Sequence, residues 1–274
     1  MTFAQAIILG AVQGATEFLP ISSSAHLVLV PWFLGWQDQG LTFDVMLHAG
    51  TLIAILSFFW RDWFEMVASI SWKRGGHHAI STPDSRLLAW VICGTVPAAI
   101  AGFLLQKAVE TTFRSPLVMA FTLIAVALLL WLAERTARLK KGVADISFTD
   151  ALCVGFAQAL ALVPGTSRSG ITITAGLFRG LKREAAARFS FLLSAPIIGG
   201  AGLKKVLDLR HASIAAADRL PMLLGFFSSL LVGYLTIQFL MKYLQRNTLF
   251  LFIYYRIGLG FVILGLIAFA GFHP

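Results

Sequence analysis

The chain has 274 residues, of which 58% are hydrophobic and only 13% charged, with a mean hydropathy of +0.80. Those values lie outside the range of soluble globular domains and define a polytopic membrane protein. The net charge of +9 does not argue for a nucleic-acid partner, because the basic residues fall at the ends of apolar segments without interleaved aromatics; membrane lipid headgroups are the expected partner.

In chain order, the first basic residue is Arg61, so the N-terminal apolar stretch lacks the charged region of a secretory signal and is expected to be retained as structure. Segment 3–34 is apolar but interrupted by Gln13-Gly14-Ala15-Thr16-Glu17-Phe18-Leu19-Pro20-Ile21-Ser22-Ser23-Ser24-Ala25-His26. A carboxylate, three hydroxyls and an imidazole at membrane depth carry a large desolvation cost, which points to function. Apolar segments near 43–60, 86–106, 115–134, 187–203, 220–240 and 248–270 approach the roughly 20 residues that a bilayer asks of a helix. The polar stretch Arg61 to Arg86, with Gly75-Gly76-His77-His78, reads as a connector with solvated histidines. A second broken apolar segment covers 149–180 and contains Pro164-Gly165-Thr166-Ser167-Arg168-Ser169-Gly170. Both broken segments can enter the membrane, turn at the polar motif and leave on the same side. The predicted fold is all-α: six transmembrane helices plus two re-entrant helical hairpins. Cys93 and Cys153 lie in separate apolar segments without metal-ligand spacing and read as small buried side chains.

The two broken segments are related. A shift of about 145 positions lays Ala6, Gly10 and Gln13 over Ala151, Gly155 and Gln158, and Ser22-Ser23-Ser24 over Ser167-Arg168-Ser169. Weaker matches set Phe43, Leu47 and Ala49 over Phe189, Leu193 and Ala195, and Gly94 and Gly102 over Gly225 and Gly233. Three spans separate the hairpins, so the expected organisation is one membrane domain, 1–274, built from inverted repeats of about 1–140 and 141–274, with the hairpin tips meeting near the midplane. The connections 61–86, 135–148, 179–188 and 241–247 hold fourteen Lys and Arg, against six in 35–42, 106–115 and 204–219, which places the first set in the cytoplasm.

Gln13 and Glu17, four residues apart, share a helix face, and Pro20 ends that helix. Ser22, Ser23 and Ser24 then expose hydroxyls and backbone N–H groups at the start of a half-helix, where anions are favoured. In the second copy Thr166, Ser167, Ser169 and Gly170 offer hydroxyls and flexible backbone beside Arg168, so the two copies together suit a phosphate group. His26 lies within three residues of Ser23 and could take its proton; Glu17 could orient the histidine, act as the base, or hold a divalent ion. His48 and Asp44 could support the site or sit at the interface, and Arg256, next to Tyr254 and Tyr255, reads as a structural or headgroup contact.

At Gln13-Gly14-x-x-Glu17-Phe18-Leu19-Pro20-x-Ser22-Ser23-x-x-His26 and Pro164-Gly165-x-Ser167-Arg168-Ser169-Gly170 the sequence resembles the undecaprenyl pyrophosphate phosphatase family of bacitracin-resistance type. The first motif position is Glu or Gln in that family, so Gln13 is an allowed variant that removes one carboxylate ligand; Ser24 stands where Thr is common. The resemblance implies hydrolysis of undecaprenyl diphosphate to undecaprenyl phosphate and inorganic phosphate, and with it lipid-carrier recycling for peptidoglycan synthesis and bacitracin resistance. It implies a polyprenyl diphosphate substrate, dependence on a divalent cation (Mg2+ or Ca2+), for which Glu17 is the candidate ligand, and a bacterial plasma membrane location with the site open to the extracytoplasmic side. By the same carry-over Glu17, Ser23, His26 and Arg168 are the catalytic candidates, with Ser22, Ser24, Ser167 and Ser169 binding phosphate; the motif reading adds Gln13, Thr166 and Gly170 to the substrate-binding set. Oligomeric state stays open, a homodimer among the options.

Two rivals share parts of this pattern. Inverted repeats with broken helices also build transporters and flippases for anionic or lipid-phosphate substrates, but a carrier needs no nucleophile and base. The type 2 phosphatidic acid phosphatases use a Ser-Arg-x5-His motif, and no His follows Ser167-Arg168 at that spacing.

Overall fold

A computed structural model describes residues 1–37, 39–70, 82–105, 115–209 and 216–270. The Gly75 to His78 stretch of the connector lies outside those residues, as do most of the 106–115 connection and residues 210–215. The described residues form eleven α-helices: α1 Phe3–Phe18, α2 Ser23–Phe33, α3 Leu41–Phe58, α4 Trp60–Ala68, α5 Pro83–Leu104, α6 Pro116–Thr136, α7 Phe148–Leu160, α8 Arg168–Phe178, α9 Arg183–Leu209, α10 Ala216–Tyr243 and α11 Phe250–Ala270. Five of them (α5, α6, α9, α10 and α11) are long and apolar enough to cross a bilayer, and α3 with α4 makes a sixth candidate bent by 67°. Large apolar side chains such as Phe103, Phe121 and Phe227 point outward along these helices, as a lipid-facing surface requires. The protein is a multi-pass, all-helical membrane protein.

The start of the expected 61–86 connector is helical instead. In α4 Met66 is buried and Trp63 packs on the core while Phe64 and Val67 face out, and Asp62 pairs with Arg188 of α9. One buried apolar face and an ion pair to a neighbour outweigh the polar composition that suggested a loop.

The two broken segments fold as short helix pairs, α1 with α2 and α7 with α8, each pair in contact across its break. Each packs on a helix from the other half of the sequence. A Cβ on Gly10 of α1 would lie 2.4 Å from the Gly225 carbonyl oxygen of α10, and one on Gly155 of α7 would lie 2.3 Å from the Gly94 carbonyl oxygen of α5. Only glycine permits such backbone approach. These four are the positions that the internal alignment pairs, Gly10 with Gly155 and Gly94 with Gly225. The halves are therefore interlocked, the first helix pair leaning on α10 and the second on α5.

At the far end of α7 from its break, acidic and basic side chains from several connections gather. Asp150 takes the Lys141 ammonium at 2.8 Å, the Arg179 Nε at 2.6 Å and the Ser147 hydroxyl at 2.8 Å, while Arg183 holds Glu134 at 2.6 Å. Ser147 also caps α7. This knot fixes the base of the second helix pair and leaves its broken tip to meet the first.

Candidate functional site

Both breaks solve the same backbone problem. After α1, the chain turns through Leu19 to Ser22, and Ser22 adopts a positive φ of 79°; after α7, Ser167 does the same at 67°. A non-glycine residue there is strained by about 1–3 kcal/mol, and such strain persists only where surrounding contacts over-determine it. Those contacts are visible. Ser24 Oγ accepts the Gly165 N–H at 3.2 Å, and Ser169 Oγ donates to the Leu19 carbonyl at 3.0 Å, so each tip is tied to the other. Gly165, at φ 86°, is pressed against the Met119 carbonyl and Thr122, whose hydroxyl donates to the Pro164 carbonyl at 2.7 Å.

Arg256 of α11 closes the junction. Its side chain is 0% exposed, and it donates to the carbonyls of Pro20 at 3.2 Å, Gly165 at 3.2 Å and Thr166 at 2.9 Å, as well as to Leu123 on α6. The headgroup alternative for Arg256 is thereby overturned: full burial and backbone carbonyls from both breaks make it a clasp. Gly170 leaves the space that this guanidinium occupies, since a Cβ there would stand 3.0 Å from Arg256 Nη1.

The joined tips border a cavity of about 390 Å3, lined by α1 and α2 on one side, by α7 and α8 on the other, and by turns of α3, α5 and α9. Glu17 is its centre. Its Oε1 accepts from Arg168 Nη2 at 2.9 Å, and its Oε2 accepts from the Ser23 hydroxyl at 2.7 Å and from Gln13 Nε2 at 3.1 Å. Gln13 and Glu17 thus meet as their spacing predicts, and Arg168 arrives from 151 residues away to pair with Glu17. Arg168 keeps its other terminal nitrogen, Nη1, without a hydrogen-bond partner among the described residues. Ser22, Ser24 and Ser167 also line the cavity, with Ser22 and Ser24 hydroxyls 3.1 Å apart.

The other expected residues stand off the cavity wall. Gln13 lies behind Glu17. Thr166 lends its carbonyl to Arg256; Ser169 is taken up by Leu19 and by Ser167; and the Gly170 N–H donates to the Ser167 hydroxyl, capping α8. They build the turn rather than face the space.

His26 departs furthest from expectation. Its Nδ1–H donates to the Ser22 carbonyl at 2.7 Å and its Nε2 accepts from the Tyr255 hydroxyl at 2.6 Å, the two rings being stacked at 5.6 Å. The ring does not reach Ser23 or Ser24 and does not line the cavity. The reason is helical pitch: α2 begins at Ser23, and a residue four positions after Ser22 sits over the Ser22 carbonyl. The imidazole that does face Glu17 is His48 of α3. Its Nδ1–H donates to the Asp44 carbonyl at 2.8 Å, and its Nε2 stands 3.9 Å from Glu17 Oε2. Gln158 of α7 is a second residue that the sequence marked only as the repeat mate of Gln13; it lines the cavity, buried.

The donor set does not form a protein-built site for a divalent cation. The described residues gather no three His, Cys, Asp or Glu side chains in ligating geometry, and both oxygens of Glu17 are taken by N–H or O–H donors. Mg2+ and Ca2+ sites need several oxygen ligands free of such donors.

Fold and site thus define an integral, multi-pass helical membrane protein whose two short helix pairs bring a carboxylate, a hydroxyl and a guanidinium to one cavity. Residues 6–262 match the family model described as bacitracin resistance protein BacA, and the chain belongs to that family. It is 48% identical over 268 residues to a protein of Pelotomaculum thermopropionicum, covering 98% of each chain. It is 50% identical over 263 residues to one of Moorella thermoacetica, covering 96% of this chain and 97% of the other. With a protein of Desulforudis audaxviator it shares 46% identity over 260 residues, 95% of this chain and 96% of the other. Each of the three relatives is named undecaprenyl-diphosphatase.

Proposed function

We infer that the chain is an undecaprenyl-diphosphatase: it hydrolyses undecaprenyl diphosphate to undecaprenyl phosphate and inorganic phosphate, the step that recycles the lipid carrier of peptidoglycan synthesis and underlies bacitracin resistance. The observation that carries the reading is the junction itself, a Ser23 hydroxyl held at 2.7 Å by a carboxylate whose other oxygen is held by Arg168. Ser23 attacks the terminal phosphorus while Glu17 Oε2 takes its proton; the new Oγ–P bond replaces the bridging P–O bond, and undecaprenyl phosphate leaves. Glu17 gives that proton up to the departing undecaprenyl phosphate; water then attacks the phosphoserine, Glu17 taking one water proton and returning it to Ser23 Oγ as the Oγ–P bond breaks, and inorganic phosphate departs with Ser23 restored. Arg168, through Nη1, faces the charge on the phosphoryl oxygens. Ser22, Ser24 and Ser167 offer hydroxyls to the same oxygens. Gln13 orients Glu17, and Thr166, Ser169 and Gly170 hold the second turn. His26 acts as a positioning residue, a strut under the Ser22 carbonyl.

The helix pairs α1–α2 and α7–α8 are, in this reading, re-entrant hairpins within one domain of two inverted repeats, and α3 to α4, α5, α6, α9, α10 and α11 are the six spans. The duplicated positive-φ serines and the reciprocal glycine contacts support it. The ion-pair knot around Asp150 belongs to the basic connections and lies about 12 Å from the cavity along α7, the rise from Asp150 to Gln158. That separation favours a plasma-membrane protein with this knot at the cytoplasmic face and the cavity served from the other side. The described residues of this junction offer a resident divalent cation no set of free oxygen ligands, so a cation required for hydrolysis would be held chiefly by the diphosphate itself.

Purified protein in detergent is expected to release phosphate from a polyprenyl diphosphate, with rapid quench trapping a phosphoserine at Ser23. Ser23→Ala and Arg168→Ala are each expected to lower release by at least about 100-fold. Full turnover in both variants, with flux of a lipid phosphate across liposomes, would instead make the protein a carrier. Calorimetric titration of the substrate-free protein with Mg2+ or Ca2+ is expected to show no stoichiometric site, even where chelation of the assay mixture slows turnover.

A further inference from the structure

The two repeat-related glutamines have unequal fates. Gln13 donates to Glu17 four residues on, whereas the residue four after Gln158 is Leu162, which offers nothing. Gln158 is only 2% exposed, lines the cavity, and neither its Nε2 nor its Oε1 has a hydrogen-bond partner among the described residues. A buried amide with both ends unpaired is costly, and a group in that condition beside a cavity implies a ligand that completes it.

The neighbourhood indicates which part of a ligand. Gln158 lies at the end of α7, where Ala161 and Leu162 continue the wall of the polar cavity and Ala98 of α5 faces them. The adjacent turns of the same two helices, with Pro97, Ile100 and Ala101 on α5 and Phe156 and Ala159 on α7, border a second cavity of about 620 Å3 whose lining is almost wholly apolar. Gln158 therefore stands on the α7 wall of the cavity that Glu17 and Ser23 line from α1 and α2, beside the turns of α5 and α7 that border an apolar groove.

Resting on the function proposed above, we propose that Gln158 binds the phosphate that stays on the prenyl chain, its NH2 donating to a non-bridging oxygen, and that the first isoprene units leave along the α5–α7 groove. Arg168 and Ser23 then address the terminal phosphate, and Gln158 holds the departing half of the substrate. An interaction of this kind is present in ground state and transition state alike, so its loss raises KM more than it lowers kcat.

The test is steady-state hydrolysis of farnesyl diphosphate by wild type and Gln158→Leu in the same detergent, with farnesyl phosphate and inorganic phosphate as product inhibitors. Gln158→Leu is expected to raise KM roughly 10- to 100-fold with kcat within about threefold, the loss expected for a hydrogen bond to a charged group. Inhibition by farnesyl phosphate should weaken in parallel while inhibition by inorganic phosphate stays as in wild type. The melting temperature of the substrate-free variant should equal or exceed that of wild type, because leucine removes an unpaired amide. A KM within twofold of wild type overturns the inference, as does a selective loss of inhibition by inorganic phosphate. If the leucine variant does not fold, the isosteric Gln158→Glu decides by the same KM criterion, since a carboxylate there would repel the phosphate. No hydrolysis by wild type itself would overturn the enzymatic reading and not the placement of Gln158.

Discussion

The breaks after α1 and α7 share a backbone and divide a chemistry. Each has a serine at positive φ, Ser22 and Ser167, each sets a hydroxyl pair two residues apart at 3.1 or 3.2 Å, and each starts a new helix there. What they carry differs: the first presents Glu17 and Ser23, and the second presents Leu162 and Arg168 at the corresponding positions. The same turn supplies an anion-friendly geometry twice, and the residues that differ between the two separate the carboxylate from the guanidinium. Neither half is a site alone, because a buried carboxylate or guanidinium without its partner is strongly disfavoured.

That dependence sets the largest expected effect. Glu17→Leu and Arg168→Leu should each destabilise the protein by about 3–5 kcal/mol, since either leaves the opposite charge buried and unpaired. Combining them should restore much of the stability, as replacement of a buried ion pair by apolar residues often does, while phosphate release stays below about 1% of wild type. Thermal unfolding in detergent beside a phosphate assay would show both. If the double variant is no more stable than the singles, the pair does not couple the two turns as the geometry indicates.

Arg256 tests whether the two breaks are held as one unit. Its guanidinium serves carbonyls of Pro20, Gly165 and Thr166 at once. Arg256→Met keeps the apolar stem and strands those acceptors, and a loss of roughly 3 kcal/mol or more is expected, with turnover falling because Ser23 and Arg168 are no longer brought together. Next in size come the glycine contacts that seat each helix pair. Gly10→Val and Gly155→Val should each cost about 1–3 kcal/mol by overpacking. The two costs should be similar, because Gly10 meets Gly225 as Gly155 meets Gly94, at 2.4 and 2.3 Å. A wide difference would show that the halves are less alike in packing than in backbone.

Much of this was legible in the residues, and the illegible part has a common cause. Helix boundaries followed from apolar length and from Pro20 and Pro164; Gln13 with Glu17 followed from helical spacing; the internal alignment marked the glycines at close approaches, though not which glycine meets which. Facing did not. In a helix apolar on every side, periodicity does not say which way a polar residue looks, so His26, on the family motif, was favoured over His48, which had only Asp44 four residues earlier to recommend it. Arg256 was opaque for the same reason, since its five carbonyl partners are backbone groups of other segments. Gln158 did have a signal, its mate Gln13 having an acid four residues on where Gln158 has Leu162. The helix α4 was hidden by polar composition, and its ion pair to Arg188 spans 126 residues of sequence.

The smallest predicted effect separates two roles for His26. As a strut, the ring holds the Ser22 carbonyl while Tyr255 steadies its far nitrogen at 2.6 Å. Tyr255→Phe keeps the stacked ring and removes only that hydroxyl, a loss of about 1 kcal/mol in ring placement, so turnover should fall by roughly two- to fivefold. If the ring must instead leave Tyr255 and swing toward Ser23 to carry a proton, the same hydroxyl opposes the productive state, and removing it should raise kcat. The sign of the change in kcat therefore decides the role. His26→Ala does not, because losing either a strut or a base lowers turnover, and only the tyrosine variant leaves the imidazole in place.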